Sequence, residues 1–175
     1  GEPLCMRSFR LFEPATRLQP AASEGVVVVY HQNQFAMFEG RLLLDPDQVM
    51  YFGDTGHRLM LGHVDGRPCE LIHLSNTLDM PGVSWHGLRT LIGQVDDALF
   101  RLLGVAQQLD AWYRGHRFCG SCGGAMQPRE DERAMECQAC ERRDYPKLAP
   151  CIIVLITRGR EILLARAPHF PPGFF

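Results

Sequence analysis

Four of the seven cysteines carry the clearest chemical signal in the 175-residue chain. Cys119 and Cys122 form one C-x-x-C pair, Cys137 and Cys140 a second, with 14 residues between the pairs. A C-x-x-C turn presents two thiolates to a common point, and two such turns complete a tetrahedron of soft sulfur ligands. That closed geometry is the pattern of a structural zinc, with no position left for substrate. A pair of disulfides or a redox C-x-x-C would draw on the same residues and is the alternative. Gly120, Gly123 and Gly124 beside the first pair are expected to supply the backbone angles of a tight metal turn. His116, three residues before Cys119, could compete as a ligand, but four cysteines already saturate such a site.

Other candidates for bond-breaking chemistry are few. There is no G-x-S-x-G, no P-loop, no G-x-G-x-x-G and no H-E-x-x-H. Asp45 with Asp47, and Asp96 with Asp97, lie too close in sequence to serve as a general acid and base. The seven histidines are scattered and none has metal-ligand spacing. From the residues alone the chain reads as a zinc-stapled protein whose chemistry is not visible.

Composition is that of a globular protein, 46% hydrophobic and 22% charged. The apolar runs Val26–Tyr30 and Cys151–Ile156 are far shorter than the ~20 residues of a membrane span and read as buried strands. Cys5, Cys69 and Cys151 sit in apolar surroundings. An odd number of cysteines with buried thiols suits a reducing, cytoplasmic compartment. The net charge is −2. Between His116 and Lys147, six basic residues face six acidic ones, and four thiolates with one Zn²⁺ add a further −2. A module that grips nucleic acid through phosphates carries a basic surplus, which this one lacks.

The elements that must position the cysteines follow from periodicity. Residues 1 to about 24 read as a lead-in. Val26–Tyr30 and Phe35–Phe38 are expected to pair as strands. Arg41 to Gln48 reads as a connector. Arg58–Val64 and Arg67–Leu74 form a hairpin about Asp65-Gly66, a dipeptide that tolerates the positive φ angles of a type I′ turn. Met80 to His86 reads as a loop. From Val95, apolar residues at 99, 102, 103, 106, 109, 112 and 113 recur in steps of three and four, placing one stripe on a helix that Gly115 stops. Asp96 and Asp97 at its start and Arg114 at its end complement the helix dipole. Trp112 and Tyr113 are read as core. After the cysteines, Pro150–Thr157 and Glu161–Arg166 read as a second hairpin whose first strand, apolar on both faces, belongs in the middle of a sheet. The chain then reaches Phe174-Phe175 with too few strands left to surround it, so part of this last domain is expected to lie outside the sequence.

The order of these segments resembles the zinc-containing NADH pyrophosphatase branch of the Nudix hydrolases. A helix is followed by His116-Arg-Phe-Cys-Gly-Ser-Cys-Gly-Gly124, Glu132-Arg-Ala-Met-Glu-Cys-Gln-Ala-Cys140, then Tyr145-Pro-Lys-Leu-Ala-Pro-Cys-Ile-Ile-Val-Leu155 and the hairpin at Ile162. The likeness is densest from about Gln107 to Ala167 and weaker back to Val26. It implies an α+β fold: an N-terminal β-rich α/β domain over residues 1–115, a zinc ribbon over 116–147, and over 148–175 the first hairpin of a Nudix α/β/α sandwich. It further implies hydrolysis of the diphosphate of NADH or NAD to nicotinamide mononucleotide and AMP, removal of NAD caps from RNA, Mg²⁺ or Mn²⁺ as catalytic ions, and a homodimer. The catalytic Nudix helix has no counterpart here, so no catalytic residue carries over and no NADH hydrolysis is expected of this polypeptide alone. A Gly-x-x-x-x-x-Glu stretch followed by Arg-Glu-x-x-Glu-Glu is expected beyond residue 175. Three substrate contacts do carry over: Tyr145, Glu132 and Arg89. Their alternatives are, in turn, an aromatic packing the ribbon onto the Nudix sheet, an exposed loop acid, and a solvated arginine at a helix start. A zinc-ribbon binding module for nucleic acid or a protein partner, without catalysis, is the competing function.

Overall fold

The computed structural model describes residues 9–17, 25–49, 52–147, 149–165, 168 and 173. Its largest unit is a six-stranded mixed sheet. The strands are β1 (Phe12–Pro14), β2 (Val26–His31), β3 (Gln34–Phe38), β4 (Thr55–Val64), β5 (Arg67–Leu74) and β6 (Val83–Gly87), in the order β1-β4-β5-β2-β3-β6. β2 runs parallel to β5 and antiparallel to β3, with Tyr30 opposite Phe35. The expected pair and the expected hairpin are both present. At the hairpin turn Asp65 and Gly66 take φ of 48° and 78°, as a type I′ turn demands.

The unbroken apolar run of β2 is explained by its central place between β5 and β3. Successive side chains point to opposite faces, and both faces are covered. Val28 and Tyr30 join one core with Phe35, Leu59, Leu61 and Leu71. Val27 and Val29 join a second with Ala36, Leu44, Phe52, Ile72 and Leu74. The short helix α1 (Pro46–Val49) adds Val49 to the second core, so the segment read as a connector holds a helical turn. Two further segments read as irregular are strands. Phe12–Pro14 pairs with β4, and Val83–Gly87 pairs with β3 along its whole length.

A 3₁₀ turn (Leu88–Leu91) leads into α2 (Asp97–Gly115). The Asp96 side chain accepts the Leu99 N–H at 2.8 Å and caps the helix. Leu99, Leu102, Leu103, Ala106 and Leu109 then bury the expected stripe in the first core, over β4 and β5. Trp112 is buried and Tyr113 half-buried against the same core, in keeping with the core reading. No helix among the described residues is long and apolar enough to cross a membrane.

The ribbon follows directly: β7 (Met126–Pro128), β8 (Met135–Cys137) and β9 (Arg143–Asp144) form a three-stranded antiparallel sheet. Met126, Met135, Cys119 and Cys137 are contiguous with the α2 core, so ribbon and large sheet share one hydrophobic interior. The last hairpin departs from expectation. Only β10 (Thr157–Arg158) and β11 (Glu161–Ile162) pair. Cys151–Ile156, expected mid-sheet, forms no strand and lies exposed, Ile153 fully so. A strand apolar on both faces needs neighbours on both edges and layers above and below, and no described element provides them.

Candidate metal centre and its surroundings

The two C-x-x-C turns face each other across the ribbon. Sulfur–sulfur distances are 3.7 Å for Cys119–Cys140 and 3.5 Å for both Cys122–Cys137 and Cys122–Cys140. A tetrahedron with Zn–S bonds of about 2.3 Å has edges of roughly 3.8 Å, so the four sulfurs stand almost at zinc-binding separation. The knuckles are built alike. Gly123 N–H donates to Cys119 O at 2.9 Å, and Glu141 N–H to Cys137 O at 3.0 Å. Gly123 and Glu141 occupy equivalent positions with φ of 73° and 59°. Of the three glycines expected to matter, Gly123 supplies a left-handed angle. Gly124 supplies close approach, since a Cβ there would lie 3.2 Å from the Cys137 sulfur and 3.3 Å from that of Cys122. Gly120 meets neither need: it has no positive φ and open space around it.

The electrostatics call for a cation. Backbone N–H groups of Cys122 and Ser121 hold the Cys119 thiol down at about 6, and those of Ala139 and Cys140 lower Cys137. At Cys140 the Arg142 N–H also favours thiolate, but the three neighbouring sulfurs push its thiol up to about 12. The Cys140 thiolate therefore forms readily only when a positive ion offsets the sulfurs around it. His116 does not compete for that ion. Its Nδ1 donates to Trp112 O at 2.7 Å, and its Nε2 lies 3.3 Å from Asp144, tying the helix end to β9. Arg142 donates to Ser121 Oγ at 2.6 Å across the knuckles and so stays beside the sulfur cluster.

On the ribbon's surface an ionic network surrounds two of the three expected substrate residues. Arg129 reaches Glu136 at 2.6 Å and Asp131 at 2.7 Å. Arg143 reaches Glu136 at 2.8 Å and Glu132 at 3.3 Å. The Tyr145 hydroxyl donates to Glu132 at 3.1 Å while its ring remains 47% exposed. Arg89 sits exposed on the 3₁₀ turn. Among the described residues no hydrogen bond or ion pair joins it to Glu132 or Tyr145.

Residues 18–112, which take in β2 to β6 and most of α2, match the profile of the NADH pyrophosphatase-like rudimentary NUDIX domain. The chain belongs to the NADH pyrophosphatase family. Residues 114–145 match the NADH pyrophosphatase zinc ribbon domain, whose structural zinc is the ion the four sulfurs fit. Relatives named NAD-capped RNA hydrolase NudC are 45% identical over 166 residues in Stutzerimonas stutzeri (strain A1501), 50% over 115 residues in Pseudomonas putida (strain F1) and 48% over 115 in Pseudomonas fluorescens (strain Pf0-1). The first alignment takes in 92% of this chain and the others 66%. The chain spans 59% of the first relative's length and 42% of the other two.

One constellation escaped the sequence reading altogether. His57, His73 and Asp110 converge between β4, β5 and α2. Their spacing along the chain follows no ligand or catalytic pattern. The signal was positional: His57 and His73 fall opposite each other once β4 and β5 are paired, beneath a helix carrying an acid on its apolar side.

Proposed function

We propose that this chain is the substrate-presenting and zinc-stapled portion of a Nudix hydrolase that cleaves the diphosphate of NADH or NAD to nicotinamide mononucleotide and AMP, and that removes NAD caps from RNA. The observation that carries this reading is the direct succession of rudimentary NUDIX domain and NADH pyrophosphatase zinc ribbon in one chain. It is supported by relatives named NAD-capped RNA hydrolase, one of them aligned over 92% of this chain. The working division is 1–115, 116–147 and 148–175, with the ribbon as clamp between the first and last parts. Cys119, Cys122, Cys137 and Cys140 hold structural zinc. Tyr145 offers its exposed ring to a base or nicotinamide, Glu132 accepts from substrate hydroxyls, and Arg89 pairs with phosphate. None of these residues performs the hydrolysis, which is assigned to Mg²⁺ or Mn²⁺ held by the Nudix helix of the whole protein; such ions neutralise the diphosphate and orient water. A cytoplasmic homodimer, in which each ribbon serves the partner's active site, is the assembly we assign.

The competing reading, a ribbon that docks on nucleic acid without catalysis, is disfavoured by charge. Six basic residues face six acidic ones in the ribbon, and two of the basic ones, Arg129 and Arg143, are held in pairs with Asp131, Glu132 and Glu136. The test is hydrolysis by the whole protein with Mg²⁺ or Mn²⁺, using NADH and NAD-capped RNA. Release of AMP from NADH is expected; RNA binding with no cleavage of either substrate would select the binding module.

A further inference from the structure

The ladder between β4 and β5 sets His57 opposite His73. Their rings stack at 4.6 Å with 14° between planes. His57 Nε2 and His73 Nδ1 each lie 2.8 Å from the same atom, Oδ1 of Asp110, on α2 above them. Asp110 is completely buried. Its other oxygen accepts from Arg114 Nε at 2.8 Å, one helical turn on, and this bond holds Oδ1 toward the imidazoles. Tyr113 packs its ring 4.8 Å from that of His57.

We propose that His57, His73 and Asp110 form a second metal site, taking a divalent transition-metal ion of the zinc or cobalt type through two imidazole nitrogens and one carboxylate oxygen. The donor set selects the ion. Imidazole suits zinc, cobalt, nickel and copper, whereas magnesium and calcium seek oxygen alone. Two histidines and one carboxylate leave a fourth position for water, the pattern of an open rather than a closed zinc site. Spacing is compatible. Metal–ligand bonds of about 2.0–2.2 Å put the donor atoms of a tetrahedral site roughly 3.3–3.5 Å apart. The two 2.8 Å contacts to Asp110 open by about half an ångström around an ion of that bond length, and the stacked rings tilt apart so that both in-plane nitrogen lone pairs meet at it. Three separate elements supply the ligands, so the fold preorganises them. Arg114 is the outer partner that orients the carboxylate, as metal-ligating carboxylates commonly require.

Entry is available, because the histidine side chains keep 17% and 14% of their surface exposed. No covalent step is involved. To bind the ion, each imidazole presents a lone pair at the nitrogen that now faces Asp110 and carries its proton on the other ring nitrogen. The ion supplants two hydrogen bonds, and water or a small anion completes its shell.

The test starts from the whole chain with ribbon zinc in place, to which Co²⁺ is added. The expected result is one further equivalent of cobalt per chain. It should show visible ligand-field absorption without the thiolate charge-transfer band that marks a cysteine site. His57→Gln and His73→Gln should each abolish that equivalent while leaving ribbon zinc and far-ultraviolet circular dichroism unchanged. Asp110→Asn serves as a third variant, and the two histidine variants carry the test if it fails to fold. A wild-type chain that takes up no cobalt beyond exchange into the cysteines would overturn the proposal. So would cobalt uptake that survives both histidine substitutions. Either result would leave the cluster a purely hydrogen-bonded triad.

Discussion

The Tyr145 hydroxyl donates to Glu132 Oε2 at 3.1 Å, and the opposite oxygen of that carboxylate faces Arg143 Nη1 at 3.3 Å. Two residues 13 apart in sequence are thereby joined into one surface feature, with β9 and the loop before β8 as its supports. The arrangement leaves the Tyr145 ring uncovered while holding its edge in place. A flat aromatic with a restrained orientation loses less entropy when a base stacks on it.

In the hydrolase proposed above, Tyr145→Ala should lower kcat/KM for NADH about 5- to 150-fold, the equivalent of ~1–3 kcal/mol of base stacking. Tyr145→Phe should cost far less, because it keeps the ring and loses only the bond to Glu132. Steady-state kinetics of both variants decide it; equal losses would mean that the hydroxyl, not the ring, does the work.

The ribbon is latched to the large sheet by Arg133. Its Nη2 donates to the carbonyls of Met60 and Leu61, both at 3.0 Å. Charged hydrogen bonds of this kind contribute about 1.5–3 kcal/mol each before desolvation is set against them. Burial lowers the Arg133 pKa, and its Nε lacks a partner among the described residues, so the net effect falls below that sum. Arg133→Ala should reduce stability by about 1–2 kcal/mol, read by urea denaturation. Zinc content should not change; joint loss of zinc would place the latch inside the metal site's own folding unit.

Removing zinc should have a wider effect. Cys119, Cys137, Met126 and Met135 belong to the interior shared with α2, and a ribbon with so little core of its own depends on the metal to fold. Cys137→Ser, or prolonged chelation, is expected to release zinc and solubility together. Metal analysis alongside sedimentation checks this, and a soluble, folded, zinc-free Cys137→Ser chain would refute it.

Cys69 gives a pH signature. Burial, reinforced by the neighbouring Glu70 carboxylate, pushes its thiol from 9.0 up to about 12. The folded state thus retains a proton that the unfolded chain surrenders near 9.0. Stability is complete below that pH and falls as pH rises toward 12, by about 1.4 kcal/mol per pH unit. Cys69→Ala should flatten this alkaline slope in denaturation midpoints measured from pH 8.5 to 10.5. Cys69 should also resist thiol reagents in the native chain, whereas the exposed Cys151 reacts.

Local chemistry determined much of this protein from its sequence. The C-x-x-C pairs announced their tetrahedron, because knuckle geometry is a short-range property of two turns. Asp65-Gly66 announced its hairpin, and the stripe from Leu99 to Leu109 announced its helix. Val83–Gly87 was not legible as a strand. The Pro81-Gly82 before it marks a loop, its alternation of Val83 and Trp85 with Ser84 and His86 is too short to outweigh that signal, and pairing along β3 orders it. The apolar run at Cys151–Ile156 misled in the opposite sense, since strand-forming residues become a strand only where neighbours accept their backbone bonds. The Tyr145–Glu132 contact and the His57–His73–Asp110 cluster were decided by tertiary structure alone. The first needs the ribbon's third strand laid beside the second. The second needs the register of β4 on β5 and the rotation of α2 that turns Asp110 inward. Metal turns are written in neighbouring residues; sites assembled from a ladder register and a helix face arise only when the chain has packed.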